Sequence, residues 1–240
     1  MRASAVSAPT NSPSKRTGTL GTVDAILASV RKEWRQESRS LSGLATTASF
    51  ALGGSLLTLV ALYGTRGDGQ LIGGLIWLVL LFAAGVTLPR TFLVEDEAGT
   101  ADLLRLVAPA SPVFWGKAIL ASAQMLLIAI LAAGPILLQS ELKITNPLLL
   151  VVALTLGAIG VGATATLCGA LASGAANRGA VAAGLALPLL IFLASLGTTA
   201  LLPALGDSRP IGWPACLGLL GWVAGTFTIG PPILAAVWRR

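Results

Sequence analysis

Apolar stretches of 18 or more residues recur along this chain. Each is long enough to cross ~30 Å of hydrocarbon as a helix. In lipid a backbone must satisfy its own hydrogen bonds, which leaves helices or a closed barrel. Barrel strands would alternate apolar and polar residues, and these runs do not alternate. A water-soluble alternative fails on composition. Soluble domains carry roughly 25% charged residues, whereas this chain is 11% charged and 55% hydrophobic. The expected fold is therefore an all-α membrane protein.

The pattern predicts six transmembrane helices, at about Gly43–Tyr63, Leu71–Leu88, Val113–Leu138, Leu148–Ala172, Ala180–Leu202 and Ile211–Trp238. Together they form a span domain over residues 43–238. Most connections are short, and only residues 89–112 make a long loop. Ahead of the spans, residues 1–20 are Ser/Thr/Ala/Pro-rich without an acid and read as a disordered tail. Their basic, acid-poor character also fits a transit peptide. Residues 22–41 differ. Val23, Ile26, Leu27, Val30 and Trp34 follow the spacing of one helical face. Arg31, Lys32, Glu33, Arg35, Glu37 and Arg39 occupy the remainder. This is the signature of an amphipathic helix lying in the membrane interface; a merely solvated helix is the bland alternative.

Orientation follows from Lys/Arg asymmetry. Thirteen of the sixteen basic residues fall on the side that holds both termini, the 89–112 loop with Lys117, and Arg178. Arg66, Lys143 and Arg209 fall on the other. Both termini are thus expected in the cytoplasm. The net charge of +6 sorts by topology, so it does not point to nucleic acid. Cys168 and Cys216 lie in predicted spans and read as packing residues, not a disulfide framework. Ala158, Gly162, Thr166, Ala170 and Gly174 recur every four residues, as do Gly221 and Gly225. Such rows let helices approach closely, within one bundle or across a dimer.

Several chemistries are excluded. No ionisable residue sits in mid-span away from loop edges, which disfavours a self-powered ion-coupled carrier. There is no histidine, and Met125 is the only internal methionine. A metal enzyme, a His relay and His- or bis-Met-ligated haem are thereby ruled out within the chain. No P-loop exists: Ser111 stands where the first Gly before Gly116-Lys117 belongs, and Ala118 replaces Ser/Thr. Any ATP use must come from another chain. Gly134-Pro135, Pro188 and Gly230-Pro231-Pro232 either kink spans around a pathway or are tolerated irregularities.

The remaining polar feature is the 89–112 loop. Glu95, Asp96 and Glu97 precede Gly99-Thr100, then Asp102, Leu103, Leu104, Leu106 and Val107. Thr100 fits a helix cap, and the acids lie before that helix's positive end. The leucines offer an apolar face, read as a docking element for a cytoplasmic partner or as a helix resting on the bilayer.

The stretch Arg90 to Ser111, with Glu95 to Leu104 within it, resembles the acidic-Gly-Thr/Ser-Leu-Glu-x-Leu segment between the second and third spans of the haem exporter protein B (CcmB) family, Asp102 taking the second acidic position. Leu154-Thr155-Leu156-Gly157, Asn177-Arg178-Gly179 and Leu187-Pro188-Leu189 resemble further stretches of that family. The likeness covers roughly residues 30–240. Departures are Ala101 for the usual Leu, Pro109-Ala110-Ser111-Pro112 for a more regular Pro-Leu-Pro, and Gly160-Val161-Gly162 for a span-four proline. The resemblance implies the permease subunit of an ABC-2-type transporter for haem handling in cytochrome c biogenesis, at the bacterial inner membrane. It implies a separate cytoplasmic ABC ATPase subunit, a haem-handling membrane subunit, and two copies of this chain. Haem would be cargo of the complex, with no cofactor bound by this chain alone and no catalytic role. Glu95, Asp96, Glu97, Gly99, Thr100, Asp102, Leu103 and Leu106 are then the candidate ATPase-coupling residues. The alternatives are a generic ABC-2-type permease exporting a lipid, drug or polysaccharide, and a non-transporting scaffold.

Overall fold

The computed structural model describes residues 21–40, 42–63, 68–87, 106, 108–139, 143–173, 175 and 177–239, and among these it contains no strand. The helices are α1 (Thr22–Ser40), α2 (Ser42–Leu62), α3 (Gly69–Thr87), α4 (Ala110–Gln139), α5 (Pro147–Ala172), α6 (Arg178–Leu201) and α7 (Gly212–Trp238), with a short 3-10 turn at Leu202–Leu205. Five of them, α2 and α4 to α7, are long and apolar enough to cross a membrane. The apolar part of α3, Gly69–Gly85, is shorter. At 1.5 Å per residue it reaches only about 25 Å.

Helix starts follow local chemistry. Asn146 caps α5, with Oδ1 accepting from the Leu149 N–H at 3.0 Å, and Pro147 supplies the fixed φ of a first helical turn. Asp68 Oδ1 accepts from the Leu71 N–H at 2.7 Å at the start of α3. At the far end of α6, Gly206 takes φ 100°, a left-handed value that glycine adopts freely. Pro135, Pro188, Pro231 and Pro232 all lie inside continuous helices.

α5 is the central helix, packed on α4, α6 and α7. Its small residues make this approach feasible. A Cβ on Gly162 would lie 2.6 Å from the Ser122 Cα of α4. Thr166 is fully buried, its Oγ1 donating to the Gly162 carbonyl at 2.9 Å, and Ala158 and Ala170 are also fully buried. Gly221 and Gly225 on α7 behave differently: a Cβ on either would meet nothing within 4 Å. Trp77 of α3 is buried with its ring over Gly157 of α5 and Gly197 of α6, where any Cβ would collide with the indole. Its Nε1 is the one buried side-chain polar atom without a partner among the described residues. Elsewhere polar groups bridge helices, as membrane interiors favour. Ser55 Oγ lies 3.0 Å from the Ala132 carbonyl, and the Trp222 Nε1–H donates to Thr164 Oγ1 at 2.9 Å.

The two ends of the bundle differ. At one, the starts of α3 and α5 meet the turn after α6: Thr145 donates to the Pro203 carbonyl at 2.6 Å, and Gly69 lies against Leu205. The other holds α1, the start of α4 and the end of α7.

Candidate partner-docking end of the bundle

Most of the predicted coupling segment, including Glu95, Asp96, Glu97, Gly99, Thr100, Asp102 and Leu103, lies outside the described residues. Leu106 is described and is 85% exposed. The chain is anchored immediately after it. Ala108 and Ala110 pack beside a small buried cluster of Val113, Phe114, Ala118, Ala170 and Leu234. Phe114 is fully buried, its ring seated where Gly230 of α7 has no side chain. Trp115 stacks on Phe227 with centroids 4.8 Å apart. The glycine of Gly230-Pro231-Pro232 is therefore occupied by packing, while the helix continues through both prolines. The first turns of α4 are thus a rigid seat for whatever precedes them.

α1 crosses this seat. A Cβ on Gly116 would lie 2.8 Å from the Ser29 Cβ and 3.1 Å from the Ser29 carbonyl carbon, so only a glycine fits against α1 here. One residue on, Lys117 Nζ lies 3.3 Å from Glu33 Oε2, and Lys32 Nζ lies 3.3 Å from Glu33 Oε1. The Lys117 and Glu33 side chains are 2% and 10% exposed. Buried charges persist only when paired, and here each end supplies the other's counter-charge.

At 100° per residue α1 divides into three sectors. Ser29 and Glu33 face α4. Arg31, Lys32 and Arg35 are exposed on one flank. Val23, Leu27 and Trp34 are exposed within an arc of about 40°. The apolar face expected from sequence is split, because Ile26 and Val30 turn partly inward and are half-buried. By sequence alone Lys117 is a loop-edge charge and Glu33 part of a polar face. Their pairing spans 84 positions, and no local periodicity encodes it. The one available signal was that a lysine and a glutamate each stand beside apolar helical residues needing burial.

A bundle of long apolar helices, joined at a charged end by an amphipathic helix, defines a multi-pass α-helical membrane protein. The sequence matches the CcmB protein family over residues 24–240, and the chain belongs to that family. No curated protein matches it. The family is that of the haem-export permease of cytochrome c maturation, an ABC transporter subunit of the bacterial inner membrane.

Proposed function

We propose that this chain is a six-span ABC-2-type permease, driven by a separate cytoplasmic ATPase that docks on residues 89–112. The observation carrying this reading is the family match across residues 24–240. In this reading α3 is the sixth span. Its apolar part is short, and a span shorter than the bilayer is tolerated by local thinning or by packing within the protein; α3 packs on α2, α4 and α6. Two copies would assemble with an ATPase pair and a haem-handling membrane subunit. Haem is the cargo or the handled ligand of the complex. The absence of histidine from this chain, whose one internal methionine, Met125, is buried, favours axial ligands on partners.

Force from the ATPase has to enter where the permease touches it. The acidic run Glu95–Glu97, Gly99-Thr100 and the leucines after them belong to residues 89–112, the long connection the sequence predicts between spans. A buried Leu at an interface centre contributes up to about 3 kcal/mol. Leu103→Asp with Leu106→Asp is therefore expected to release the ATPase while the spans stay inserted. Neutralising Glu95, Asp96 and Glu97 is expected to weaken docking less, through charge complementarity. The measurement is ATPase co-purification beside membrane abundance and holo-cytochrome c yield. A double mutant that is abundant, retains its ATPase and matures cytochrome c fully would overturn the docking assignment.

A further inference from the structure

α1 is held to the bundle almost entirely through α4, with little contact to α2, the helix that follows it in sequence. Within that attachment two adjacent positions of α4, Gly116 and Lys117, meet Ser29 and Glu33. Both contacts resist sliding in different ways. At the Gly116–Ser29 crossing the short Ser29 side chain and its carbonyl carbon lie against the bare Gly116 backbone, which fixes the distance between the axes. The Glu33–Lys117 pair is buried and directional, so it fixes the register. The same stretch of α4 is pinned from below by Phe114 in the Gly230 notch and by the Trp115–Phe227 stack. On its other side α1 presents Val23, Leu27 and Trp34 outward.

We propose that Glu33 and Lys117 are positioning residues that lock α1 to the start of α4, so that the two helices move as one body during the transport cycle. The proposal rests on the reading that the ATPase acts through residues 89–112, which lead directly into α4. A displacement delivered there reaches Lys117 within two helical turns. Through Glu33 it would then be carried into α1, whose apolar arc lies outside the bundle. Losing the pair would leave the ATPase docked and active while disconnecting its stroke from this lever.

The test uses the full complex in its native membrane. The variants are Glu33→Lys, Lys117→Glu and the charge swap carrying both. Each single reversal places like charges together in a buried site. We expect holo-cytochrome c yield to fall about tenfold or more for each, with ATPase co-purification unchanged, and to recover substantially in the swap. Full maturation by both single reversals, or a swap that is abundant but no better than either reversal, would overturn the proposal. Loss of ATPase co-purification in the single reversals would count against it too, because the pair would then be serving docking.

A second measurement covers variants that fail to insert. Spin labels at Ala28 on α1 and Ile119 on α4, in a chain with Cys168 and Cys216 replaced by alanine, report the distance between the helices. One narrow distance, unchanged between nucleotide-free and nucleotide-trapped complex, supports a single body. A distance that changes between those states overturns it. If the wild-type chain does not co-purify with an ATPase at all, the underlying functional reading fails instead, which separates the two failures.

Discussion

At the scale of single residues, glycines decide how close helices come. Gly162 and Gly221 have the same side chain, and sequence reading gave them the same role in four-residue rows. The structure separates them, because one faces the Ser122 backbone and the other meets nothing within 4 Å. Gly162→Ala must push α4 and α5 apart, an overpacking expected to destabilise by about 1–3 kcal/mol. Gly221→Ala should be neutral or slightly stabilising, since it removes backbone freedom from a helix without a clash. Thermal unfolding of the purified protein in one detergent distinguishes them, and equal melting temperatures would refute the packing argument. Trp77 supplies a second case. Its ring fills the gap left by Gly157 and Gly197, yet its N–H goes unpaired. Trp77→Ala should cost about 3–5 kcal/mol through the cavity it opens. Trp77→Phe should cost less, because it removes the unsatisfied donor along with part of the ring. Gly197→Ala is expected to destabilise strongly in the wild type and much less beside Trp77→Phe. Additive effects in that cycle would mean that the two residues do not share the notch.

Helices were the most legible element, and their partners the least. Apolar length alone located α2 and α4 to α7 to within a few residues, because a span must be long, apolar and uncharged whatever it packs against. What the sequence did not carry was adjacency. Neither the Trp77 notch nor the Glu33–Lys117 pair leaves a local periodicity, since each joins residues far apart in the chain. The proposed coupling segment stands out as a motif, from its acids, Gly-Thr and leucines, while its placement falls outside the described residues apart from Leu106. α1 shows both sides of this. Its heptad-like apolar face was visible, but only the structure divides that face into an outward arc and a packed shoulder. Burying Leu27 and Trp34 in an interface is worth about 1.5–3 kcal/mol each. Leu27→Glu with Trp34→Glu is therefore expected to release the outward face of α1 from the bilayer while its contact with α4 and the spans stay in place. Trypsin should then cut at Arg31, Lys32 or Arg35 at least about tenfold faster in the variant, in proteoliposomes. Unchanged cleavage would place this face against something other than lipid.

For the whole molecule the decisive quantity is sidedness. The basic residues assigned to one side include Arg31, Lys32, Arg35 and Lys117, and the structure gathers these at the end where α1 crosses α4. Lys143 and Arg209 belong with the opposite end, beside the Thr145–Pro203 contact. There Asp207 pairs with Arg209 at 2.6 Å. The hydrogen bonds from the Arg209 side chain and backbone N–H, together with its charge, hold the Asp207 carboxyl below its ordinary value. Asp207 is ionised at neutral pH, and because its carboxyl is held below the ordinary value the pair's contribution fades only as pH falls through that lowered range. The loop therefore carries two full charges under working conditions, which keeps it in water. On the positive-inside bias the α1 end, with both termini, is expected in the cytoplasm and the Asp207 loop outside. Ser208 is exposed in that loop, and Ser111 is half-buried at the start of α4. The native thiols of Cys168 and Cys216 are buried, so a membrane-impermeant maleimide should not reach them. In intact cells Ser208→Cys is expected to react and Ser111→Cys to stay unlabelled until the membrane is opened. Reaction of Ser111→Cys from outside would invert the molecule. The ATPase could then no longer reach residues 89–112, and the docking assignment would fall with the topology.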